Sequence, residues 1–418
     1  MKKINIVMTT DKNYIIPTMV TISSILSSSE SDHLFHIYIL CASDLDFKSR
    51  DMLKGMEKRD SRVRVQFIEI ADSRLDHVVT TAHIPVASYY RLYISQMLEE
   101  ERCLFIDGDM IVRGDLSDVY NTELEDCYAA AVRDFGIQTH MSEYADYARY
   151  LGIASMDDYV NAGFMLFNLK KIRDEQIGSQ MIGAIDHGYK YMDQDILNKY
   201  FNGKIKILPL KYDFFTEYYG STDNMELTGY SREEMRNIGQ EACVLHFTGP
   251  FKPWLCTRLE VNKLWWHEAE KVLDQAIYNN TMEQAKDFER KSDWSYIVEA
   301  VKDAGEVIIF GYSQIGINVT DRLLSSEVKP PVAFADNDPD KEGLGYQGIP
   351  VIRAEKLCEE YPDAVYIISS QNGFIHIKKQ LNELGIEDGR IIRYIHKDRT
   401  YYARLDEPYR EYEEAVHS

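Results

Sequence analysis

Two carboxylates stand two positions apart, Asp107 and Asp109, directly after the apolar run Cys103-Leu104-Phe105-Ile106. At that spacing both can reach one hard divalent cation, with Gly108 keeping the backbone permissive between them. The same residues also make an ordinary polar turn, because Asp-Gly is a common turn dipeptide. A second set lies far along the chain. His246 follows the apolar run Ala242 to Leu245 and opens His246-Phe-Thr-Gly249-Pro250-Phe-Lys252-Pro253-Trp254. A histidine at a strand end would complete an Asp/Asp/His cation site. Gly249 would let backbone N–H groups approach a phosphate, and Lys252 would add a positive point charge. The alternative is a core histidine beside a proline-rich turn. A third pattern, Gly311-Tyr-Ser313-Gln-Ile-Gly316, follows one apolar run and precedes a helical one, with Asp336 at the end of the next run. That is the context of a dinucleotide fingerprint. Ser313 replaces its middle glycine, so a tight strand-to-helix turn that binds nothing accounts for it equally well.

Such residues need elements to hold them. Residues 4–8, 36–40 and 63–70 read as strands, separated by helical segments at about 17–26 and 45–58. This β-α-β-α-β rhythm predicts an α/β layer with parallel strands, whose ends are where ligands bind. Residues 102–106 form the strand that delivers Asp107. Further strands are expected at 128–132, 163–168, 204–210 and 242–247, with a helix over 186–200. The first domain is expected to span 1–266, followed by a charged helical connector at 267–292. A smaller α/β unit over 293–397 and a charged tail at 398–418 complete the chain.

Forty-seven Lys and Arg stand against 68 Asp and Glu in a chain of 418 residues, a net charge of −21. A surface this acidic repels phosphate backbones, which argues against nucleic-acid partners. An anionic substrate would need a local positive element. The six cysteines are scattered without a Cys-x-x-Cys pair, which argues against a disulfide framework or structural zinc. The N-terminus lacks the long apolar region of a signal peptide, and the stretch 15–26 is too short and polar to span a bilayer. A cytoplasmic protein without a transmembrane segment is expected, with peripheral placement at the inner membrane face as a variant.

Six blocks, in order, make the chain resemble glycosyltransferase family 8, retaining enzymes of GT-A fold that use UDP-sugars. They are Asn5-Ile-Val-Met-Thr9-Thr10-Asp11-Lys-Asn13-Tyr14, Ser88-Tyr-Tyr-Arg91-Leu92, Leu104-Phe-Ile-Asp107-Gly108-Asp109, Asn161-Ala162-Gly163-Phe-Met-Leu-Phe-Asn168, Asp193-Gln194-Asp195-Ile-Leu-Asn198 and the segment from His246 to Trp254. The resemblance covers roughly residues 1 to 265. It implies a GT-A domain followed by a smaller Rossmann-like α/β domain. It also implies transfer of galactose or glucose from a UDP-sugar to a glycan or glycoconjugate, such as a bacterial lipopolysaccharide, capsule or protein-linked glycan.

By the same resemblance, Thr9, Thr10, Asp11, Asn13 and Tyr14 hold uracil and ribose, and Arg91 contacts the donor side. Asp107, Asp109 and His246 match ligands of Mn²⁺, with Mg²⁺ as the alternative, while Gly249 and Lys252 match pyrophosphate contacts. Asp193 binds sugar hydroxyls, and Gln194 faces the anomeric carbon opposite the leaving group. Asn161 lines the same cavity, and Asp134 matches an Asp near donor sugar and acceptor. A neutral amide is a poor nucleophile, which favours same-face attack over a covalent glycosyl intermediate on Gln194. At Asp213 the family usually carries Asn, in a region near the acceptor. Docking or self-association is the expected role of the C-terminal unit. The competing reading is an NAD(P)- or nucleotide-binding protein acting through that unit, with a non-catalytic N-terminal domain.

Overall fold

In the computed structural model the described residues are 2–29, 33–78, 86–139, 144–216, 228–248, 252–257, 259–291, 293–326, 328–370 and 373–394. Gly249 and the tail at 398–418 lie outside them. Strands β1 (Lys2–Thr9), β2 (His33–Cys41), β3 (Val63–Glu69), β4 (Arg102–Ile106), β5 (Met110–Val112), β6 (Ala129–Arg133), β7 (Val160–Asn168), β8 (Ile205–Ile207), β9 (Phe214–Phe215) and β10 (Val244–His246) build two sheets. The larger has the order β3-β2-β1-β4-β7-β6-β8, and the smaller β5-β10-β9.

The expected β-α-β-α-β start is present: β1 pairs in parallel with β2, and β2 with β3. Strand β4 joins β1 in parallel with Ile6 opposite Leu104, so its C-terminal end opens on the same edge as that of β1. Its run is apolar throughout because both faces are covered. Leu104 and Ile106 pack into one core, Cys103 and Phe105 into the other. Burying Phe105 alone stabilises by about 1.5–3 kcal/mol. Beyond β4 the sheet turns mixed, since β7 runs antiparallel to both β4 and β6.

Local signals explain the shifted boundaries. The helix expected over 186–200 begins at Met192, because Ile185–His187 form a separate 3-10 turn closed by Gly188 at φ 65°. The strand expected over 204–210 shortens to β8, since Pro209 leads into a 3-10 turn at Leu210–Tyr212. The first helix runs longer than read, over Ile15–Ser28.

The segment expected as a connector packs on the first unit. From helices Asn262–Val272 and Gln275–Lys291, Ala269, Val272 and Ala285 of this segment are buried in that unit's core, beside Trp265 and Trp266. The Ser23 and Ser27 hydroxyls donate to Glu268 Oε2 at 3.1 Å each, and Thr257 donates to Glu289 from both its N–H and its hydroxyl.

After the helix Trp294–Lys302 comes a second sheet: β11 (Val307–Phe310), β12 (Ala333–Ala335), β13 (Gly345–Tyr346), β14 (Ile349–Ile352), β15 (Val365–Ile368) and β16 (Ile391–Arg393), ordered β13-β14-β12-β11-β15-β16. All its pairings are parallel except β13 with β14. The chain is therefore α/β throughout, with an additional C-terminal sheet domain. All six cysteines are free thiols. Among the described residues no helix is long and apolar enough to cross a membrane.

Candidate active site

Three chain segments meet where β4 ends. Strand β4 delivers Asp107, whose N–H donates to the Gly163 carbonyl of β7 at 2.8 Å. Strand β10 pairs antiparallel with β5, His246 opposite Met110, which sets the histidine beside Asp109. The Phe247 N–H fixes that register on the Asp109 carbonyl at 3.0 Å. One donor atom each from Asp107, Asp109 and His246 then lies within 4.8 Å of the others. Two carboxylate oxygens and an imidazole nitrogen are a donor set that suits a first-row divalent cation.

The floor of this cradle is Gly163. A Cβ there would fall 2.6 Å from His246 Cε1 and 2.9 Å from both Asp107 Oδ2 and Asn161 Oδ1. A side chain at this position would push into the three groups at once, so the bare backbone fits a site that must hold something between them. A glycine inside a strand pattern signals such close approach, and that was the cue available in the sequence.

The charges are strongly coupled. Burial pushes the Asp107 carboxyl up to about 6, against the pull of the Arg91 guanidinium. Burial also opposes ionisation of Asp109, but Lys252 and His246 overcome it and hold that carboxyl below its ordinary range. Lys252 Nζ donates to Asp109 Oδ2 and to the Phe247 carbonyl, both at 2.6 Å. Burial disfavours charge on His246, yet the Asp213 and Asp109 carboxylates raise its pKa to about 10.

A second cluster stands beside the first. Arg91 sits on a 3-10 helix at Val86–Tyr93 and is only 6% exposed. Its guanidinium lies over the Phe105 ring at 4.4 Å and pairs with Asp107 at 3.2 Å and Asp193 at 2.9 Å. Asp193 and Gln194 open the helix Met192–Tyr200, entered through Met192 in the left-handed region at φ 53°. Asn198 ties this helix to β7, accepting from the Val160 N–H at 2.7 Å and donating to its carbonyl at 2.9 Å. Gln194 Oε1 accepts from the Ala162 N–H at 3.0 Å and from Asn161 at 3.3 Å, and its Nε2 donates to Asp134 Oδ2 at 2.9 Å. Asn161 also donates to Asp134 Oδ2 at 3.2 Å, while Asp134 Oδ1 caps the helix Phe135–Gln138. Gln194, Asn161 and Asp134 are thus one hydrogen-bonded group, while Asp193 is joined to Asp107 through Arg91. Asp195 points elsewhere, accepting from the Tyr147 and Tyr159 hydroxyls, and is part of the scaffold.

The turn after β1 forms the near wall. Thr9, Thr10, Asp11, Tyr14, Arg91 and Gly108 line one cleft with Asp107 and Asp109. Asp11 Oδ1 accepts from the Asn13 and Tyr14 N–H groups at 2.7 and 3.1 Å, which shapes the turn. Tyr14 packs edge-on against Trp254 at 5.4 Å and also touches the position a Gly108 side chain would take. Asn13 is exposed on the turn and is not among the residues lining the cleft.

Asp213 has a role that the sequence did not show. β9 pairs with β10, and the Asp213 carboxylate stands behind the cation cradle, where Oδ1 accepts from His246 Nδ1 at 2.8 Å. The signal available was a lone charge in the aromatic run Tyr212-Asp213-Phe214-Phe215, which is seldom buried without a partner.

In the C-terminal unit, Gly311 at φ 115° turns the chain from β11 into the helix Gln314–Leu324. A Cβ on Gly316 would meet the Gly311 carbonyl at 2.1 Å, so both glycines serve that tight turn. Asp336 is turned onto the loop. Its Oδ2 accepts from the Tyr312 N–H at 2.8 Å and from Lys341 at 3.1 Å.

Comparison with known proteins places the chain among families. The model of glycosyl transferase family 8 matches residues 5–258, and that of the "C2185-like, N-terminal" family matches 304–392. A lipopolysaccharide 1,2-glucosyltransferase of Escherichia coli K12 is 28% identical over 257 residues, 60% of this chain and 72% of its own. The galactosyltransferase LgtC, solved with donor and acceptor sugar analogs, superposes with a TM-score of 0.54 at 23% identity, over 66% of this chain and all of its own. The bifunctional glycosyltransferase WbbM gives a TM-score of 0.58 at 19% identity, over 68% of this chain and about half of its own, 52%. With 254 consecutive residues matched, from the Asn5–Tyr14 block through the Asp-Gly-Asp strand to the His246 segment, the chain belongs to glycosyltransferase family 8.

Proposed function

We propose that the chain transfers a hexose, glucose or galactose, from a UDP-sugar to a glycan or glycoconjugate hydroxyl with retention at the anomeric carbon. The observation that carries this reading is the convergence of Asp107, Asp109 and His246 on one point, in a cleft continuous with the turn at Thr9–Tyr14. These three side chains would hold Mn²⁺, or Mg²⁺ in its place, which supplies Lewis-acid stabilisation of the departing diphosphate. Lys252 adds a positive charge beside Asp109, and Arg91 orients Asp193 toward the sugar hydroxyls. The lipopolysaccharide glucosyltransferase relative favours a glycolipid or surface-glycan acceptor.

The reaction centre also bears on the attack. Both polar atoms of the Gln194 amide are engaged, Oε1 with two donors and Nε2 with Asp134. An oxygen accepting two hydrogen bonds is a poorer nucleophile still, so this side chain suits binding and shaping rather than covalent catalysis. Gln194→Ala is expected to slow transfer by about 10- to 100-fold, the range of a lost polar transition-state contact. Turnover reduced to background would instead favour a covalent intermediate on Gln194.

The test of function is UDP release from a panel of UDP-sugars with Mn²⁺. Release from UDP-glucose or UDP-galactose that EDTA abolishes is the expected result. No release from any UDP-sugar with either cation overturns the reading.

A further inference from the structure

His246 reaches the cation cradle with Nε2, which lies 3.4 Å from Asp109 Oδ1. Its other nitrogen is held from behind by Asp213 Oδ1 at 2.8 Å. Asp213 is 0% exposed, and its second oxygen, Oδ2, is buried without a hydrogen-bond partner among the described residues. Asp109 and Asp134 add like charge nearby rather than relieving it. A buried carboxylate with one oxygen unpaired is costly, by several kcal/mol in general. Holding the ring would not require that cost: an asparagine in the same place could accept the same Nδ1–H bond through its amide oxygen. The Phe215 ring meets the imidazole edge-on at 5.4 Å and already limits its rotation. What the carboxylate adds over an amide is a full negative charge behind the ring.

We propose that Asp213 is a positioning residue for the cation site. By accepting from Nδ1–H it fixes the tautomer that leaves Nε2 for a divalent cation, and its charge makes that nitrogen a stronger donor. The inference rests on the cation reading above. Partners behind a metal-bound histidine ordinarily contribute 10- to 100-fold in affinity. The site would then hold its cation through three carboxylates, Asp107 and Asp109 directly and Asp213 through the imidazole, which offsets the neighbouring Lys252 and Arg91 charges.

The test is Mn²⁺ titration of the full chain without donor sugar, read by the loss of the free Mn²⁺ signal in electron paramagnetic resonance. Asp213→Asn is expected to weaken binding by about 10- to 100-fold. Its kcat at saturating Mn²⁺ should stay within about threefold of the parent, because the ring still reaches the cation once that is bound. Asp213→Ser serves as a second neutral variant and should show the same loss, with thermal unfolding confirming that each is folded. Mn²⁺ affinity within twofold of the parent in both neutral variants overturns the positioning role. Failure of the parent chain to bind Mn²⁺ overturns the cation reading itself, so the two failures are distinct.

Discussion

Asp109→Asn is expected to lower cation-dependent transfer by at least about a thousandfold, equivalent to about 4 kcal/mol of transition-state stabilisation. Both oxygens of this carboxylate are committed, Oδ1 toward His246 and Oδ2 on Lys252. The amide keeps the shape but removes the charge that either contact uses, and it directs an N–H₂ group at Lys252 or at the cation. The leaving diphosphate then loses much of the stabilisation that a cation beside Lys252 would supply. The fold should survive. Asp109 is small, its backbone stays paired with Phe247, and Lys252 keeps the Phe247 carbonyl as acceptor. UDP release with and without EDTA, beside thermal unfolding, separates the cases. A folded variant with undiminished, EDTA-insensitive turnover would sink the role given to Asp109.

The seven-stranded sheet was largely legible because its strands are apolar runs that end in chemistry. The run at 103–106 had to be buried on both faces, and its end had to be where Asp107 emerged. The turn after β1, the Asp-Gly-Asp pair and the histidine segment were readable as ordered blocks. What the sequence withheld was pairing across distance. Nothing local told that Asp213 stands behind His246, because that contact depends on β9 aligning with β10. The glycine in the β7 pattern hinted at a close approach at Gly163, but not at which groups approach, since two of the three, Asp107 and His246, come from the ends of β4 and β10. The packing of the connector was hidden for a related reason. Its many charges read as a helical connector, while the residues that dock it, Glu268, Ala269, Ala285 and Glu289, are spread singly along it. In the C-terminal unit, the glycine spacing was correctly tied to a strand-to-helix turn. The direction in which Asp336 points was not encoded in its position at a strand end.

Arg91→Met should destabilise the chain by about 3–5 kcal/mol near pH 8, the usual cost of removing one partner from a buried ionic cluster. Met preserves packing over Phe105 but leaves Asp107 and Asp193 without their shared cation. The loss should depend on pH, with a definite sign. Burial already raises both carboxyls, and Arg91 is the group that pulls them down. Without it their folded-state pKa values climb further above the unfolded value of about 3.9. Between those limits the folded chain holds protons that the unfolded chain has released, so stability falls as pH rises through the window. The variant should therefore lie closer to the parent at pH 5 than at pH 8. Urea unfolding in EDTA, followed by tryptophan fluorescence, reads this directly, because Trp254, Trp265 and Trp266 all report on the first unit and only Trp294 lies beyond it. A deficit that is equal at both pH values would mean that Arg91 stabilises by packing rather than by charge. Transfer should fall by at least about a hundredfold under conditions where the variant is folded, since Asp193 loses the contact that aims it at the sugar. Near-parental transfer by the folded variant would remove Arg91 from the donor site and leave it as a core residue alone.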